Sequence, residues 1–229
     1  MINKTAIVFG GTGLTGSALV NELIQNMRYT AIKVFTRHDL DIEHIKVIEN
    51  RVNVENPGEY GELIKGDDLF ICLGTTMRKA GSVKKVEKID RDLPVEIARI
   101  ALLNGVKNIA VVSSLGAKAS SSNYYRRIKG EMEQLVLSME FERKVIARPS
   151  ILLGKRNETR VFESAGKQLI KALGFMLTGK MRKYRGIRAS DVARAMVKAI
   201  NESGGREIYE SDELADLAVQ KKEPESKAQ

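Results

Sequence analysis

Short apolar runs alternate with longer amphipathic segments along most of the chain. The runs TAIVFG, IKVFTR, DLFICLG, NIAVVSS and KVIARPS are rich in β-branched residues and have the length of strands. Near-continuous apolar runs of this kind are typical of parallel strands that are covered on both faces. Between them, GSALVNELIQNM, LPVEIARIALLNG and RIKGEMEQLVLSM carry apolar residues at three- and four-residue steps, which predicts helices. The repeated strand-then-helix order predicts an α/β fold with a doubly wound parallel sheet.

The pattern changes beyond Gly154. ESAGKQLIKALGFML and ASDVARAMVKAINES predict helices and REIYE predicts a short strand, so we expect residues 154–210 to pack over the carboxyl ends of the strands as the substrate side of a cleft. The earlier stretch RVNVENPGEYGELIKGDD predicts a short strand, a turn around Pro57 and a weak helix. The last residues, QKKEPESKAQ, are charged or polar and include few apolar side chains, which predicts a disordered tail over 219–229. The remaining residues, 1–218, have the length and hydrophobic content of one domain.

The segment GGTGLTGSALV follows the first predicted strand directly. It fits both G-x-x-G-x-x-G and G-x-G-x-x-G, through Gly10, Gly11, Gly13 and Gly16. Glycine at these positions lets the chain turn sharply, lets backbone N–H groups approach a pyrophosphate, and lets a helix pack closely on the strand. Thr12 and Thr15 can add hydroxyl donors to a phosphate. At a first strand-to-helix turn, the pattern predicts a bound dinucleotide rather than a purely structural turn.

The second predicted strand ends in VFTRHDL, where the residue type distinguishes two cofactors. An acidic residue there hydrogen-bonds the adenosine ribose of NAD, whereas an arginine pairs with the 2′-phosphate of NADP. The sequence has Thr36 and Arg37 at this position, which favours NADP(H). In the alternative interpretation Arg37 is solvated and Asp39 binds the ribose.

Tyr125 and Lys129 lie four positions apart on a predicted helix, and Ser113 and Ser114 end the strand before it. Residues at this spacing share a helix face. An adjacent ammonium stabilises a phenolate, so we expect Lys129 to lower the pKa of Tyr125 from its usual value of about 10. A strand-end serine hydroxyl can hold a reacting carbonyl. We therefore predict a proton-transfer site at Ser114, Tyr125 and Lys129; the alternative is a basic helix with a solvated lysine.

The positive charge is concentrated late in the chain. The net charge is +9, and residues 143–206 hold sixteen Lys and Arg against four Asp and Glu. Aromatic residues make up only 5% and no stacking motif accompanies the charge, so a solvated basic face is favoured over nucleic-acid readout. The charge also suits an anionic small-molecule substrate or an acidic protein partner.

Other classes of site have little support in the sequence. The single cysteine, Cys72, lies in an apolar run, which predicts a packed thiol. Neither His38 nor His44 has Cys or His partners at the spacing of metal ligands, so we expect no metal site. No apolar run approaches the roughly 20 residues that span a bilayer, and MINKTAIVFGG is a strand leading into a turn rather than a secretory signal. We therefore expect a cytoplasmic protein without a membrane segment.

Five segments, taken in order, resemble a known family: GGTGLTG, CLGTTMRKAGS, VSSLGAKASSSNYYRRIKGEME, RPSILLGKR and YRGIRASDVARAM. Together they are similar to the atypical short-chain dehydrogenase/reductases related to the Tat-interacting protein. The resemblance runs from about Thr5 to Met196. It implies a Rossmann fold, NADPH as cofactor and a Ser-Tyr-Lys active site on Ser114, Tyr125 and Lys129. The spacing from Ser114 to Tyr125 is slightly shorter than in typical short-chain reductases, which leaves Ser113 open as the productive serine.

The same resemblance implies a set of cofactor contacts. They fall on Gly10, Thr12, Gly13, Leu14, Thr36, Arg37, Gly74, Thr75, Pro149 and Ser150.

Three functions stay open on the sequence alone. In the first, an NADPH-dependent reductase transfers hydride to a carbonyl held by Ser114, while Tyr125 protonates the oxygen. In the second, NADPH orders a module whose basic region after Arg143 engages an acidic protein. A nucleotide-sugar epimerase is the third and is less favoured, because the C-terminal portion is short for such a substrate.

Overall fold

The computed structural model describes residues 3–154 and 177–220. Within them, seven strands form one parallel sheet in the order β3-β2-β1-β4-β5-β6-β9. A separate two-stranded sheet pairs β7 with β8. The strand bounds are β1 Lys4–Phe9, β2 Tyr29–Thr36, β3 Val47–Arg51, β4 Asp68–Ile71, β5 Asn108–Val112, β6 Arg143–Arg148, β7 Leu152–Leu153, β8 Ile187–Arg188 and β9 Ile208–Glu210.

Helices cover both faces of the seven-stranded sheet. Their bounds are α1 Leu14–Gln25, α2 Met77–Ala80, α3 Val83–Glu87, α4 Leu93–Leu103, α5 Tyr124–Leu137, α6 Ala189–Asn201 and α7 Ser211–Val219. A π-helical turn, Lys88–Asp92, joins α3 to α4. Val8 faces a core built with α1 and α6, whereas its neighbour Ile7 faces a core built with α4 and α5. Because successive strand residues are buried on opposite faces, the strands read as continuous apolar runs.

The predicted α/β fold with a doubly wound parallel sheet is confirmed. The three amphipathic segments form α1, α4 and α5, and REIYE contains β9. The short strand predicted at the start of RVNVENPGEYGELIKGDD was misplaced. The observed strand, β3, is Val47–Arg51 and ends where the predicted strand begins. As an edge strand it pairs only with β2 and Ile48 is 46% exposed, so it lacks an apolar run. The weak helix predicted after it consists of two 3-10 turns, Pro57–Glu59 and Gly61–Leu63.

Residues 189–210 complete the sheet and its layers instead of covering the strand ends. The predicted helix in ASDVARAMVKAINES is α6, which packs against α1 and β6, and β9 is the last strand of the sheet. The helix predicted in ESAGKQLIKALGFML and most of the predicted tail fall outside the described residues, although Val219 is the last residue of α7. None of the described helices combines the length and apolar character needed to cross a membrane.

The amino ends of the strands are joined by a buried polar network, which we call the Asp68 network. Asp68 is fully buried at the start of β4 and accepts hydrogen bonds from Lys4 Nζ at 2.9 Å, Tyr29 Oη at 2.5 Å and Asn108 Nδ2 at 2.7 Å. Asn201, at the end of α6, donates to Tyr29 Oη at 2.9 Å. Buried polar groups are costly unless they are paired. The network therefore fixes four strand starts and one helix end relative to one another.

Candidate active site

The predicted site residues follow neighbouring strands at one edge of the sheet. Thr36 ends β2, Gly10 follows β1, Gly74 and Thr75 come after β4, and Ser113 follows β5. In open parallel sheets, ligands bind at the carboxyl ends of the strands where the winding direction changes. Here that point lies between β1 and β4. The fold thus brings the predicted cofactor loops and the predicted serines to the same edge.

The glycine turn has no room for side chains. Gly10 has a φ of +82°, and a Cβ on Gly16 would lie 2.0 Å from the Gly10 carbonyl oxygen. Gly13 is the N-cap of α1 and supplies no capping side chain, and no acidic residue lies in the first turn. The first amides of α1 therefore have the positive polarity that attracts a phosphate. Thr12 is exposed at this turn, whereas Thr15 is buried.

The end of β2 forms a tight turn. The buried Thr36 hydroxyl donates to His38 O at 2.7 Å, which leaves Arg37 projecting outwards with 61% of its side chain exposed. Arg37 lies 3.9 Å from Glu55, and Glu55 is closer to Lys88 at 3.2 Å. An exposed guanidinium with one distant carboxylate is available to an anionic ligand.

Lys129 is buried in the carboxyl edge of the sheet, with 3% of its side chain exposed. Its ammonium lies 2.8 Å from Asp90 Oδ1 and 3.5 Å from the carbonyl oxygen of Val112, the last residue of β5. Burial lowers the pKa of Lys129, but the Asp90 carboxylate, with smaller contributions from Tyr125 and Glu133, raises it more. Lys129 is therefore a cation, fixed beside the strand end that carries the two serines.

Asp90 is the site residue that the sequence reasoning missed. It is fully buried in the π-helical turn, and its Oδ2 accepts a hydrogen bond from the Thr75 amide at 2.9 Å. A Cβ on Gly74 would lie 3.3 Å from Oδ1. One carboxylate thus joins the loop after β4 to Lys129. The only signal in the sequence is a charged residue just before the apolar positions of α4, which a solvated helix start would also produce.

Tyr125 lies in the first turn of α5 and is half-buried. Burial raises the pKa of its phenol, Lys129 lowers it, and Asp90 raises it again, so that the net pKa is raised. Lys129 lowers the pKa of Tyr125 as expected, but the predicted net lowering is wrong, because burial, the largest cause, and the Asp90 carboxylate together raise the pKa more. Tyr125 is held as the protonated phenol. Tyr124, predicted as a core residue, is half-buried and packs with it against Ile128.

The two serines have different surroundings. Ser113 is buried, its amide donates to Ala147 O at 2.7 Å, and its Oγ has no hydrogen-bond partner among the described residues. Ser114 is half-buried, and its carbonyl accepts from the Ala117 amide at 3.1 Å. Both hydroxyls are therefore candidates to hold a substrate oxygen, and the choice between them stays a prediction.

The last predicted contacts follow β6. The carbonyl of Pro149 accepts from the Leu115 amide at 3.0 Å, which joins this loop to the serine segment. The Ser150 hydroxyl bonds to the Arg185 carbonyl and, at 3.0 Å, to the Ser211 hydroxyl. The Ser150 side chain is thus engaged with the C-terminal segment, so a role in cofactor binding would fall to its backbone.

The geometry is that of a nucleotide-binding edge with a buried lysine beside it. A family model described as NAD(P)H-binding matches residues 10–203. The chain belongs to this NAD(P)H-binding family. One relative agrees with the resemblance to the Tat-interacting protein: rat protein HTATIP2 is 34% identical over 177 residues, which cover 76% of this chain and 73% of that protein.

Other members extend over nearly the whole chain. Protein FMP52, mitochondrial, of Kluyveromyces lactis is 34% identical over 229 residues, with 94% of this chain and 99% of that protein covered. Among solved structures, the Helicobacter pylori ADP-L-glycero-D-manno-heptose-6-epimerase has a TM-score of 0.67 at 20% identity, covering 95% of this chain and 81% of its own. MoeE5, in complex with UDP-glucose and NAD, also has a TM-score of 0.67, at 18% identity, with 93% and 80% covered. At these identities the structures support the Rossmann-type fold alone.

The prediction of a cytoplasmic protein is contradicted by the relatives. The FMP52 proteins of Kluyveromyces lactis, Coccidioides immitis and Candida albicans, among others, are named as mitochondrial. The prediction rested on the lack of an apolar span and of a secretory signal. Neither property distinguishes the cytosol from the interior of an organelle, so the inference had no physical basis for that choice.

Proposed function

We propose that this NAD(P)H-binding protein is an NADPH-dependent reductase that acts on a carbonyl group of a small substrate. The observation that carries the proposal is the buried Lys129–Asp90 pair beside Tyr125, at the edge where the nucleotide-binding loops end. Burying two charges is costly, so a buried ion pair adds little to the stability of a fold. A purely structural role therefore explains the Lys129–Asp90 pair poorly. Perturbed titratable groups in a cleft are typical of active sites.

The residues at the glycine turn fit a dinucleotide. The close backbone packing at Gly16 requires glycine, and the lack of side chains at this turn lets a pyrophosphate approach the backbone. The N-terminus of α1, which has no side-chain cap, supplies positive polarity for the pyrophosphate, and the exposed Arg37 is suited to a 2′-phosphate. When bound, NADPH supplies the hydride. We therefore infer that the edge from β2 to β5 holds the cofactor, with Gly74 and Thr75 beside it.

The side chains of the chain itself perform the proton chemistry. Ser114, or Ser113, donates a hydrogen bond to the carbonyl oxygen and orients it. Tyr125 transfers its proton to that oxygen, and its raised pKa keeps the phenol protonated over the neutral range. Lys129 stabilises the phenolate that remains. Its ammonium already contacts Asp90 and the Val112 carbonyl oxygen, which leaves one donor for a ribose hydroxyl. Asp90 holds Lys129 in place.

We infer that the substrate is anionic. Arg78, in α2 directly after the loop that bears Thr75, is exposed. A cation beside the predicted cleft favours a carboxylate or phosphate on the substrate.

The test compares Tyr125→Phe with Tyr124→Phe, a half-buried neighbour on the same helix turn. NADPH oxidation is followed with a panel of anionic carbonyl compounds, and NADPH affinity is measured by calorimetry. We expect Tyr125→Phe to lower turnover by about 10²–10⁴-fold with NADPH affinity unchanged, because only the proton donor is lost. Tyr124→Phe should retain most turnover.

Unchanged turnover in Tyr125→Phe would rule out Tyr125 as the acid. The alternative, a cofactor-dependent interaction module, predicts instead tight NADPH binding, no turnover of any carbonyl compound, and NADPH-dependent binding of an acidic protein that persists in Tyr125→Phe.

A further inference from the structure

Arg51 ends β3 at the same point of the sheet edge where Arg37 leaves β2. The two strands are parallel neighbours, and Arg51 lies opposite Thr36 in the register. The segment after Thr36 folds back over the glycine turn: Leu40 Cδ2 lies 3.7 Å from where a Cβ on Gly11 would stand. The adenosine end of a dinucleotide bound to the glycine turn therefore reaches a surface bordered by Arg37 and Arg51.

Asp39 lies between these arginines in sequence and is paired with one of them. Its Oδ1 is 2.7 Å from Arg51 Nη1, and the side chains are 75% and 64% exposed respectively. An ion pair this exposed contributes little to stability, so opening it costs little. The pairing also engages the one carboxylate that could otherwise accept the ribose hydroxyls of NAD in the alternative stated above.

The charges at this corner balance one another before any ligand binds. Arg37, Arg51 and Lys88 face Asp39 and Glu55, with Lys88 3.2 Å and Arg37 3.9 Å from Glu55, and the Glu49 carboxylate accepts a hydrogen bond from the Leu40 amide at 3.2 Å. A phosphate monoester carries up to two negative charges, whereas a carboxylate carries one. The phosphate also accepts bidentate hydrogen bonds from guanidinium groups. A 2′-phosphate can therefore displace Asp39 from Arg51.

We infer that Arg51 is a specificity-determining residue: it binds the 2′-phosphate of NADP(H) together with Arg37, and Asp39 holds Arg51 at the site until the cofactor arrives. The inference rests on the proposed use of NADPH. It assigns Asp39 a role opposite to that of a ribose ligand, since its carboxylate competes with the phosphate.

Calorimetry on the full chain tests this with two probes that differ only in the 2′-phosphate, adenosine 2′,5′-bisphosphate and AMP. NADPH and NADH are titrated alongside. We expect Arg51→Ala to weaken binding of the bisphosphate and of NADPH about tenfold, the usual effect of losing a charge-assisted hydrogen bond. Binding of AMP and NADH should stay within about twofold of wild type. Arg99→Ala, which removes an exposed arginine from α4, is the matched control and should change none of the four affinities.

The outcomes separate this inference from the proposed function. A wild-type preference for NADPH that Arg51→Ala leaves intact would overturn the role of Arg51 alone. No wild-type preference for the bisphosphate over AMP would overturn both the role of Arg51 and the choice of NADPH. The expected loss in Arg51→Ala without turnover of any carbonyl compound would support Arg51 and overturn the reductase.

Asp39→Asn gives an independent reading. We expect NADPH to bind as tightly as in wild type or more tightly, because a competing carboxylate is removed. A selective loss of NADH affinity in this variant would identify Asp39 as the ribose ligand and would contradict the inference.

Discussion

Lys129 is a buried cation whose counter-charge comes from a distant part of the chain. Asp90 supplies that charge from the π-helical turn, and the pair is almost fully shielded from water. Removing one member of such a pair leaves the other buried without compensation, which typically costs about 3–5 kcal/mol. The charge state of Lys129 therefore depends strongly on Asp90.

Asp90→Asn is expected to change both stability and titration. The free energy of unfolding should fall by about 3 kcal/mol, and the pKa of Tyr125 should fall, because an anion that raises it is lost while Lys129 remains. Urea denaturation measures the first effect. Phenolate absorbance, taken as the difference from the same variant carrying Tyr125→Phe, measures the second. Asp92→Asn is the control, since Asp92 is an exposed neighbour; an equal response in both variants would contradict a specific role of Asp90.

Single residues could be predicted where local spacing determines the neighbourhood. Tyr125 and Lys129 share a helix face, and the glycines must stand where the first turn is tight, so the sequence alone indicates both. Asp90 and Arg51 could not be found in this way, because their partners come from other elements. The sign of the Tyr125 pKa shift was missed for the same reason: it depends on burial and on Asp90.

The helix α5 is positioned at its amino end by its cap and along its length by one glycine. Asn123 Oδ1 accepts hydrogen bonds from the amides of Tyr125 and Arg126, both at 3.1 Å. A Cβ on Gly130 would lie 2.2 Å from the Ala119 amide nitrogen, so the helix touches the backbone of the segment after the two serines. This contact sets how closely Tyr125 approaches the end of β5.

Gly130→Ala should separate these elements. The added methyl group meets the backbone of Lys118 and Ala119, and overpacking of this kind costs about 1–3 kcal/mol. For a chain of this size the melting temperature should fall by about 2–4 °C per kcal/mol, and turnover should fall as the serines move away from Tyr125. Thermal unfolding followed by circular dichroism measures the shift. Gly58→Ala adds its methyl group where nothing lies within 4 Å and should leave both properties unchanged; a comparable loss there would point to a general effect of removing glycine.

Elements with a sustained period were predictable to within a few residues, as α1, α4 and α5 illustrate. The short elements were not. β3 is an edge strand with exposed residues, and β7 and β8 are two residues each, so none of them carries a hydrophobic pattern long enough to read. The helices α2 and α3 were missed because they lie between loops and depend on side-chain caps, from Thr76 and Ser82.

Across the whole molecule, several weakly acidic groups are buried in their neutral form. Burial raises the pKa of Cys72 to about 12, and it also raises the pKa of Tyr29 and of Tyr125. A raised pKa in the folded state means that the unfolded chain releases protons first as the pH increases. The stability that these groups contribute is complete below about pH 9 and is lost as the pH rises towards their folded pKa values.

We therefore expect alkaline sensitivity. With 9.0 as the unfolded pKa of Cys72, this thiol alone should make the free energy of unfolding about 1.4 kcal/mol lower at pH 10 than at pH 8. Urea denaturation at the two pH values measures the change, and Cys72→Ala should reduce it by about that amount. An identical pH dependence in wild type and Cys72→Ala would show that the thiol ionises as freely in the folded protein as in the unfolded chain.

Fold class followed from the alternation of strands and helices, but sheet order and the role of residues 189–210 did not. The order requires knowledge of which strands pair, and β9 joins the far edge next to β6. The relatives also corrected the cellular location, which no packing pattern encodes. The sequence therefore predicts the alternating strands and helices well. It predicts poorly where residues 189–210, which form α6 and β9, pack against the rest of the fold.

The Asp68 network gives the two rims of the sheet different tolerances to change. At the amino rim, Asp68, Lys4, Tyr29 and Asn108 satisfy one another, so the alignment of the strands does not depend on the loops at the opposite rim. We therefore expect that loops at the carboxyl rim can be exchanged for those of another family member while the strand alignment is retained. The chain in this sense divides into an amino rim that aligns the strands and a carboxyl rim whose loops we expect to tolerate replacement.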